Sequence, residues 1–214
     1  MQEYSFLLAI AGVLAAGAMS PGPSFFVVAQ NALSRSRADG LATAVGTALG
    51  VALFAILAGF GVVALLEQMP KVYLVLKIVG GVYLLWIASK IWRGATQSLT
   101  DSEGIQENPV TGMEGGPWRS FMQGLIVQTS NPKTAIVIAG IFAAFVPATP
   151  PPFTVSLVTV TAFIIDFSWY AIVAITLSNA HSRRIYDKAK PTFDRAAALF
   201  LVLVALRLIL GEAL

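Results

Sequence analysis

The chain has 214 residues, of which 57% are hydrophobic and only 12% are charged, and its mean hydropathy is +0.77. An average soluble domain carries about 25% charged residues, so this composition indicates one membrane domain rather than a soluble protein. The absence of cysteine excludes disulfides, thiol redox chemistry and Cys-ligated metal sites. With one histidine, His181, and a net charge of +3 clustered in loops, we expect no metal, no cofactor and no nucleic-acid partner.

Six apolar segments are long enough to cross a bilayer, which takes about 20 residues at about 1.5 Å each. Their approximate ranges are 4–33, 40–66, 72–93, 119–147, 153–179 and 195–212. Ala16-Gly17-Ala18 resembles a signal-peptide cleavage site, but no Lys or Arg precedes it, so we expect the first helix to be retained. The sequence therefore predicts an all-α integral membrane protein whose single transport domain covers residues 1–214.

The first and fourth predicted helices are each interrupted near their middle. The interruptions are the tetrapeptides Ser20-Pro21-Gly22-Pro23 and Ser130-Asn131-Pro132-Lys133. Proline removes a backbone donor and breaks a helix, and freed backbone groups are tolerated in a membrane only when they are buried in protein or face water. Each break is therefore either a half-helix end that offers its amides to a substrate carboxylate or a kink that serves packing.

The two breaks also suggest an internal repeat. An offset of 110 residues places Ser20 on Ser130 and aligns the breaks without gaps. Each half is then a broken helix followed by two more helices, with repeat one at about 4–93, an aqueous linker at about 94–118 and repeat two at about 119–212. Because three helices is an odd number, the halves must enter the membrane from opposite sides. Such inverted repeats are typical of secondary transporters.

Lys133 and Asp166 are the only charged side chains between Arg119 and Arg183, and both lie within long apolar segments. A central Lys or Asp costs about 2.5–3.5 kcal/mol in hydrocarbon, so such residues usually line a pathway or pair inside a bundle. Our hypothesis is a dynamic pair in which Asp166 takes a proton and Lys133 binds an anionic group. The alternative is a static ion pair that locks the fourth and fifth helices together.

Small residues form one face of the second predicted helix. Gly46 and Gly50, with Thr43 and Thr47, have a spacing typical of close helix packing, and substrate contact is the alternative.

Lys and Arg are distributed unequally between the two sides of a six-span protein. One side receives Arg35, Arg37, Lys90, Arg93, Arg119, Arg183, Arg184, Lys188, Lys190 and Arg195. The other side clearly receives only Lys71, with Lys77 and Arg207 able to extend towards it. Because cytoplasmic loops carry the excess of positive charge, the sequence predicts that both termini lie outside the cytoplasm.

Several of these residues carry a resemblance to a known family. They are Met19-Ser-Pro-Gly-Pro23, Gln30-Asn-Ala-Leu-Ser-Arg35, Gly40, Gly46, Gly50, Gly124 and Asn131-Pro-Lys133. In this order and spacing, the chain resembles the LysE/RhtB family of amino-acid exporters. The resemblance implies a homodimeric efflux protein of the bacterial cytoplasmic (inner) membrane, driven by the proton motive force. Some members place a histidine on the second helix, where this chain has Phe54.

The predicted function is therefore a secondary active transporter that exports amino acids or close derivatives by proton antiport. Direct use of ATP is not expected, since the sequence has no phosphate-binding glycine loop. Its expected partners are an amino-acid-like small molecule, protons, membrane lipid and a second copy of the chain. An intramembrane enzyme is the main alternative, although the sequence offers no second intramembrane Asp, no His-Glu-x-x-His motif and no Ser–His pair. A channel or assembly subunit is the third.

Overall fold

The computed structural model describes residues 6–20, 22–68, 70–96, 116–147, 150–176 and 180–210. Within these ranges the regular structure is entirely helical, which confirms the predicted all-α class for this part of the chain. The helices are α1 (Phe6–Met19), α2 (Pro23–Ser34), α3 (Arg37–Gln68), α4 (Pro70–Gly94), α5 (Pro117–Thr129), α6 (Pro132–Phe145), α7 (Thr154–Thr176) and α8 (Ala180–Leu210). Most of the predicted linker at 94–118 lies outside the described residues.

Helices are interrupted at both positions that the sequence predicts. The axes of α1 and α2 differ by 57° across the first break, where Gly22 is the extended N-cap and Pro23 the first residue of α2. The second break separates α5 from α6 at Ser130 and Asn131. Asn131 caps α6 because its side chain accepts a hydrogen bond from the Lys133 amide at 3.1 Å. Both half-helices thus begin with proline, which needs no amide partner there.

By length and apolar composition, two helices in the described ranges could cross a membrane. They are α3 over Arg37–Gly61 and α7 over Thr154–Thr176. The bent pair α1–α2 is a third candidate when it counts as one span, and α6 is a shorter apolar helix. The predicted number of six spans therefore stays a prediction.

The last helix starts earlier than the sequence analysis placed it. We predicted a span from 195 because charged residues precede that position, but α8 already begins at Ala180 and continues through Pro191. Lys190 and Asp194 lie one turn apart and form an ion pair at 3.0 Å, so this charged segment is helix rather than loop. The Lys190 ammonium also donates to the carbonyl of Gly94 at 3.0 Å, which fastens α8 to the end of α4.

Two apolar clusters surround the helix breaks. The larger one contains buried side chains such as Ile10, Leu84, Ile141, Phe142 and Leu201. The second one joins α2, the start of α3 and the end of α7, with Phe25 and Tyr170 among its members. Large apolar side chains also cover the outer surface of α3, α4, α7 and α8, as expected for a surface that faces lipid.

Helices α3 and α5 approach each other closely through glycines. A side chain at Gly46 would overlap the carbonyl oxygen of Phe121, and one at Gly124 would overlap that of Thr43. At Gly50, an added Cβ would lie 2.7 Å from the Cβ of Gln128. The two backbones therefore form a tightly packed pair that holds the end of α5 in place beside the cavity described below.

Candidate functional site

A cavity lies between the two helix breaks. Apolar residues of α1, α3, α6 and α7 form much of its wall, and its polar lining includes Ser20, Ser24, Gln128, Asn131, Lys133 and Asp166. The space open to the centres of water molecules is about 40 Å³. Since one water needs roughly 10–15 Å³ on this measure, the cavity has room for about three waters in this state.

Lys133 brings a cationic group to this cavity from the first turn of α6. Its ammonium donates to the carbonyl oxygens of Ser20 at 3.2 Å and Gly17 at 3.4 Å, both at the end of α1. These carbonyls lack partners in their own helix because α1 stops at Met19. A cation at the carbonyl end of a helix is electrostatically favourable, so Lys133 stabilises the first break from the opposite half of the chain.

Asp166 brings a carboxylate to the same cavity from the middle of α7. The residue is only 6% exposed, and the Thr47 hydroxyl of α3 lies close enough to its carboxylate to form a hydrogen bond. Its Oδ2 atom is buried and has no hydrogen-bond partner. A buried carboxylate oxygen without a partner is energetically costly, so this atom is placed to receive a proton or a cationic ligand.

Lys133 and Asp166 line one cavity, and no ion pair within 4.0 Å joins their side chains. The Lys133 ammonium contacts backbone carbonyls instead, whereas Lys190 and Asp194 of α8 do form an ion pair at 3.0 Å. The third N–H of the Lys133 ammonium and the partnerless Oδ2 of Asp166 thus remain for a molecule in the cavity. Asp194 also attracts the Lys133 ammonium electrostatically.

The other predicted site residues divide into three groups. Ser20, Gly22 and Asn131 line the cavity, and the Ser20 hydroxyl is buried without a partner. Pro23, Ser130 and Pro132 are exposed and shape the helix ends without lining the cavity. Pro21 lies outside the described residues, while Gly46 and Gly50 belong to the contact between α3 and α5.

Sequence reasoning missed several polar residues that the fold buries. Gln128 lines the cavity and accepts a hydrogen bond from the Ser24 hydroxyl. Asn31, near the end of α2, is buried, and its amide donates to Thr43 and Gln123. Gln128 and Asn31 both carry amides within largely apolar helices. Because a buried amide needs hydrogen-bond partners, their positions could have predicted contacts with polar residues of other helices. Within the described residues, no group of three or more His, Asp or Glu side chains could hold a metal ion.

Comparisons with known proteins give a family match and several relatives. The sequence model of the LysE type translocators matches residues 15–212. The chain is 32% identical to the threonine efflux protein of Escherichia coli strain K12 over 196 residues, which cover 90% of this chain and 92% of that protein. It is 30% identical to the uncharacterized membrane protein YahN of the same strain over 191 residues, covering 89% and 82% of the two chains. No solved structure gives a significant match.

Helices broken around a polar cavity, in a chain with apolar outer surfaces, define a membrane translocator rather than an enzyme. The chain belongs to the LysE type translocator family. The resemblance drawn from the two proline-containing motifs is therefore confirmed.

Proposed function

We propose that this protein exports small polar amino acids across the bacterial cytoplasmic membrane in exchange for protons. The observation that carries the proposal is the presence of Lys133 and Asp166 on one cavity without an ion pair between them. A zwitterion matches this arrangement, because its carboxylate can meet the Lys133 ammonium while its own ammonium meets Asp166. The partnerless Oδ2 of Asp166 supports the second contact.

The proposed substrates are threonine-like amino acids or close derivatives. Two observations support this class: a relative is named a threonine efflux protein, and the cavity is small. The buried Ser20 hydroxyl has no partner and lines the cavity, so it is available to a hydroxyl or ammonium group of the ligand. A bulky aromatic side chain would require a much larger expansion of the cavity.

Proton coupling is assigned to Asp166. A substrate ammonium and a proton compete for the Asp166 carboxylate, so the side chain is not protonated while the substrate is bound. Protonation from the outer side then removes the charge that holds the ammonium, and the substrate leaves outward. The arrangement of two short helices followed by two long ones, which occurs twice along the chain, supports alternating access by two inverted repeats at about 4–93 and 119–212.

The membrane arrangement forms part of the same proposal. The single domain crosses the inner membrane six times with both termini outside the cytoplasm, as the distribution of Lys and Arg favours. We also propose a homodimer, on the ground of the family resemblance. Light scattering of the detergent-solubilised protein should give twice the chain mass of 22.6 kDa after subtraction of the detergent.

The test is transport of radiolabelled threonine into inside-out vesicles that contain the protein. We expect saturable uptake that depends on a proton gradient, acid inside, and that falls at least fivefold when a protonophore is added. Uptake that proceeds unchanged with the protonophore and across pH would contradict proton exchange, and uptake that does not saturate would favour a channel. A panel of amino acids then defines the substrate range.

A further inference from the structure

Hydrogen-bonded polar side chains continue from the cavity between α2, α3 and α5. They form two layers, and we call the six residues together the polar seam: Ser24, Gln128 and Asn131, then Asn31, Thr43 and Gln123. The first layer borders the cavity, and the second lies farther along α2, towards its turn into α3.

Each layer of the polar seam joins α2 to the other half of the chain. In the first layer, the Ser24 hydroxyl donates to Gln128, and the Asn131 amide lies 3.5 Å from the Ser24 oxygen. In the second layer, the Asn31 amide donates to Thr43 at 2.8 Å and to Gln123 at 3.1 Å. Polar groups thus bridge α2 and α5 at both layers, beside Val127 of α5, which packs against the apolar cluster around Phe25.

Polar groups extend beyond the second layer to the turn between α2 and α3. The Asp39 carboxylate there accepts hydrogen bonds from Ser120 at 2.8 Å and from Ser36 at 2.5 Å. This turn also carries Arg35 and Arg37, which mark the cytoplasmic side under the proposed orientation. Separate polar clusters therefore form a polar line from the cavity towards that side.

The opposite side of the cavity is closed in a different way. There the cavity ends at Leu14, Val137 and Ile138, which belong to the large apolar cluster with Ile141 and Phe142. Separation of these side chains would expose apolar surface to water without compensation. Separation of the polar seam would instead let water replace each hydrogen bond, which changes the free energy far less. The apolar face that α2 packs against α3 and α7 has to stay covered while the seam opens.

We propose that the polar seam is the inner half of the solute pathway, closed in this structure, and that it opens when α2 moves away from α5. This inference rests on the proposed function. The glycine contacts of Gly46 and Gly124 hold α3 and α5 together, so α2 is the element that moves. Its side chains then offer amide and hydroxyl groups to an amino acid that enters from the cytoplasm.

The test uses thiol labelling, since the native chain has no cysteine. Thr43→Cys lies in the polar seam, and Ala44→Cys is its matched control because both positions are fully buried and adjacent on α3. Inside-out vesicles are treated with a membrane-impermeant thiol reagent, with and without threonine. We expect the Thr43→Cys variant to react at least tenfold faster than the Ala44→Cys variant, at a rate that threonine changes.

Threonine transport is measured in the same vesicles, which separates the two proposals. Equal labelling rates of the two variants, in vesicles that still transport, would overturn only the assignment of the polar seam to the pathway. Polar residues that serve only helix packing would leave Thr43→Cys as unreactive as Ala44→Cys. Absence of threonine transport by the native chain would overturn the proposed function itself. Should Thr43→Cys fail to fold, Gln123→Cys replaces it, with Val127→Cys as the control on α5; both positions are half-buried.

A second measurement tests the movement of α2. A short, reducible bifunctional thiol reagent is applied to the Asn31→Cys/Gln123→Cys double variant, which bridges α2 and α5. The reduced double variant is assayed first, as its own reference. We expect the transport rate that it then shows to fall at least tenfold on cross-linking and to return on reduction. Transport that continues while the bridge is intact would overturn the assignment of α2 as the moving element.

Discussion

At the scale of single residues, the two charged side chains of the cavity, Lys133 and Asp166, differ in how fully their hydrogen bonds are satisfied. Lys133 is occupied by two carbonyl oxygens of α1, whereas one oxygen of Asp166 has none. Substitution of the two residues should therefore affect the stability of the protein differently. Removal of the Lys133 ammonium would leave helix-end carbonyls unsatisfied, but removal of the Asp166 charge would leave a neutral amide of nearly the same shape.

We predict that Asp166→Asn abolishes proton-driven threonine transport while the protein accumulates and melts normally. The amide keeps the volume and can still bond to Thr47, but it can neither take up a proton nor bind an ammonium ion with a full charge. The expected loss is at least tenfold in initial rate, measured in vesicles.

The control for this variant is Thr159→Val, which removes another polar group from α7. Thr159 lies seven residues before Asp166, its hydroxyl is also buried without a partner, and it does not line the cavity. It should transport normally. An Asp166→Asn protein that is absent from the membrane or melts at a much lower temperature would point to a structural role instead.

At the scale of helices, the close contact of α3 with α5 should be sensitive to a single methyl group. We predict that Gly46→Ala destabilises the protein by about 1–3 kcal/mol, because the new Cβ would overlap the Phe121 carbonyl. Gly61→Ala on the same helix is the control, since nothing lies within 4 Å of its added Cβ. Thermal unfolding in detergent measures both, and equal shifts would contradict the packing argument.

The attachment of α8 to α4 gives a second prediction at this scale. Lys190→Met leaves the Asp194 carboxylate buried without its cation, and such a loss costs about 3–5 kcal/mol. Lys188→Met, two residues earlier and exposed, should change stability by less than about 0.5 kcal/mol. The difference in melting temperature between the two variants tests the ion pair, and similar values would show that it contributes little.

Sequence alone predicted the helix breaks but not the start of α8 or the polar seam. Proline and glycine act locally, so the interruptions at 20–23 and 130–133 could be read from the residues themselves. The segment before 195 is rich in charged residues, so it was predicted as a loop. The bond from Lys190 to the Gly94 carbonyl, which holds this segment as helix against α4, joins residues too far apart in the chain to be foreseen. In the same way, Asn31 finds Gln123 only once α2 and α5 are packed together.

At the scale of the whole molecule, the orientation in the membrane decides which end of the polar line receives the substrate. Ser34 is exposed beside the α2–α3 turn, and Phe153 is exposed in the turn before α7. We predict that Ser34→Cys reacts with an impermeant thiol reagent in inside-out vesicles, while Phe153→Cys reacts in intact spheroplasts. Reversed labelling would overturn the orientation, and labelling of both from one side would overturn the six-span arrangement.

The bond between the Lys133 ammonium and the end of α1 links ligand capture to helix mechanics. The carbonyls of Gly17 and Ser20 share this one cation with whatever anion reaches the cavity. A carboxylate that approaches the ammonium therefore competes with the α1 terminus for it. A carboxylate bound in the cavity would in this way release the end of α1. Substrate binding and movement of the first half-helix would then be coupled through one ammonium group.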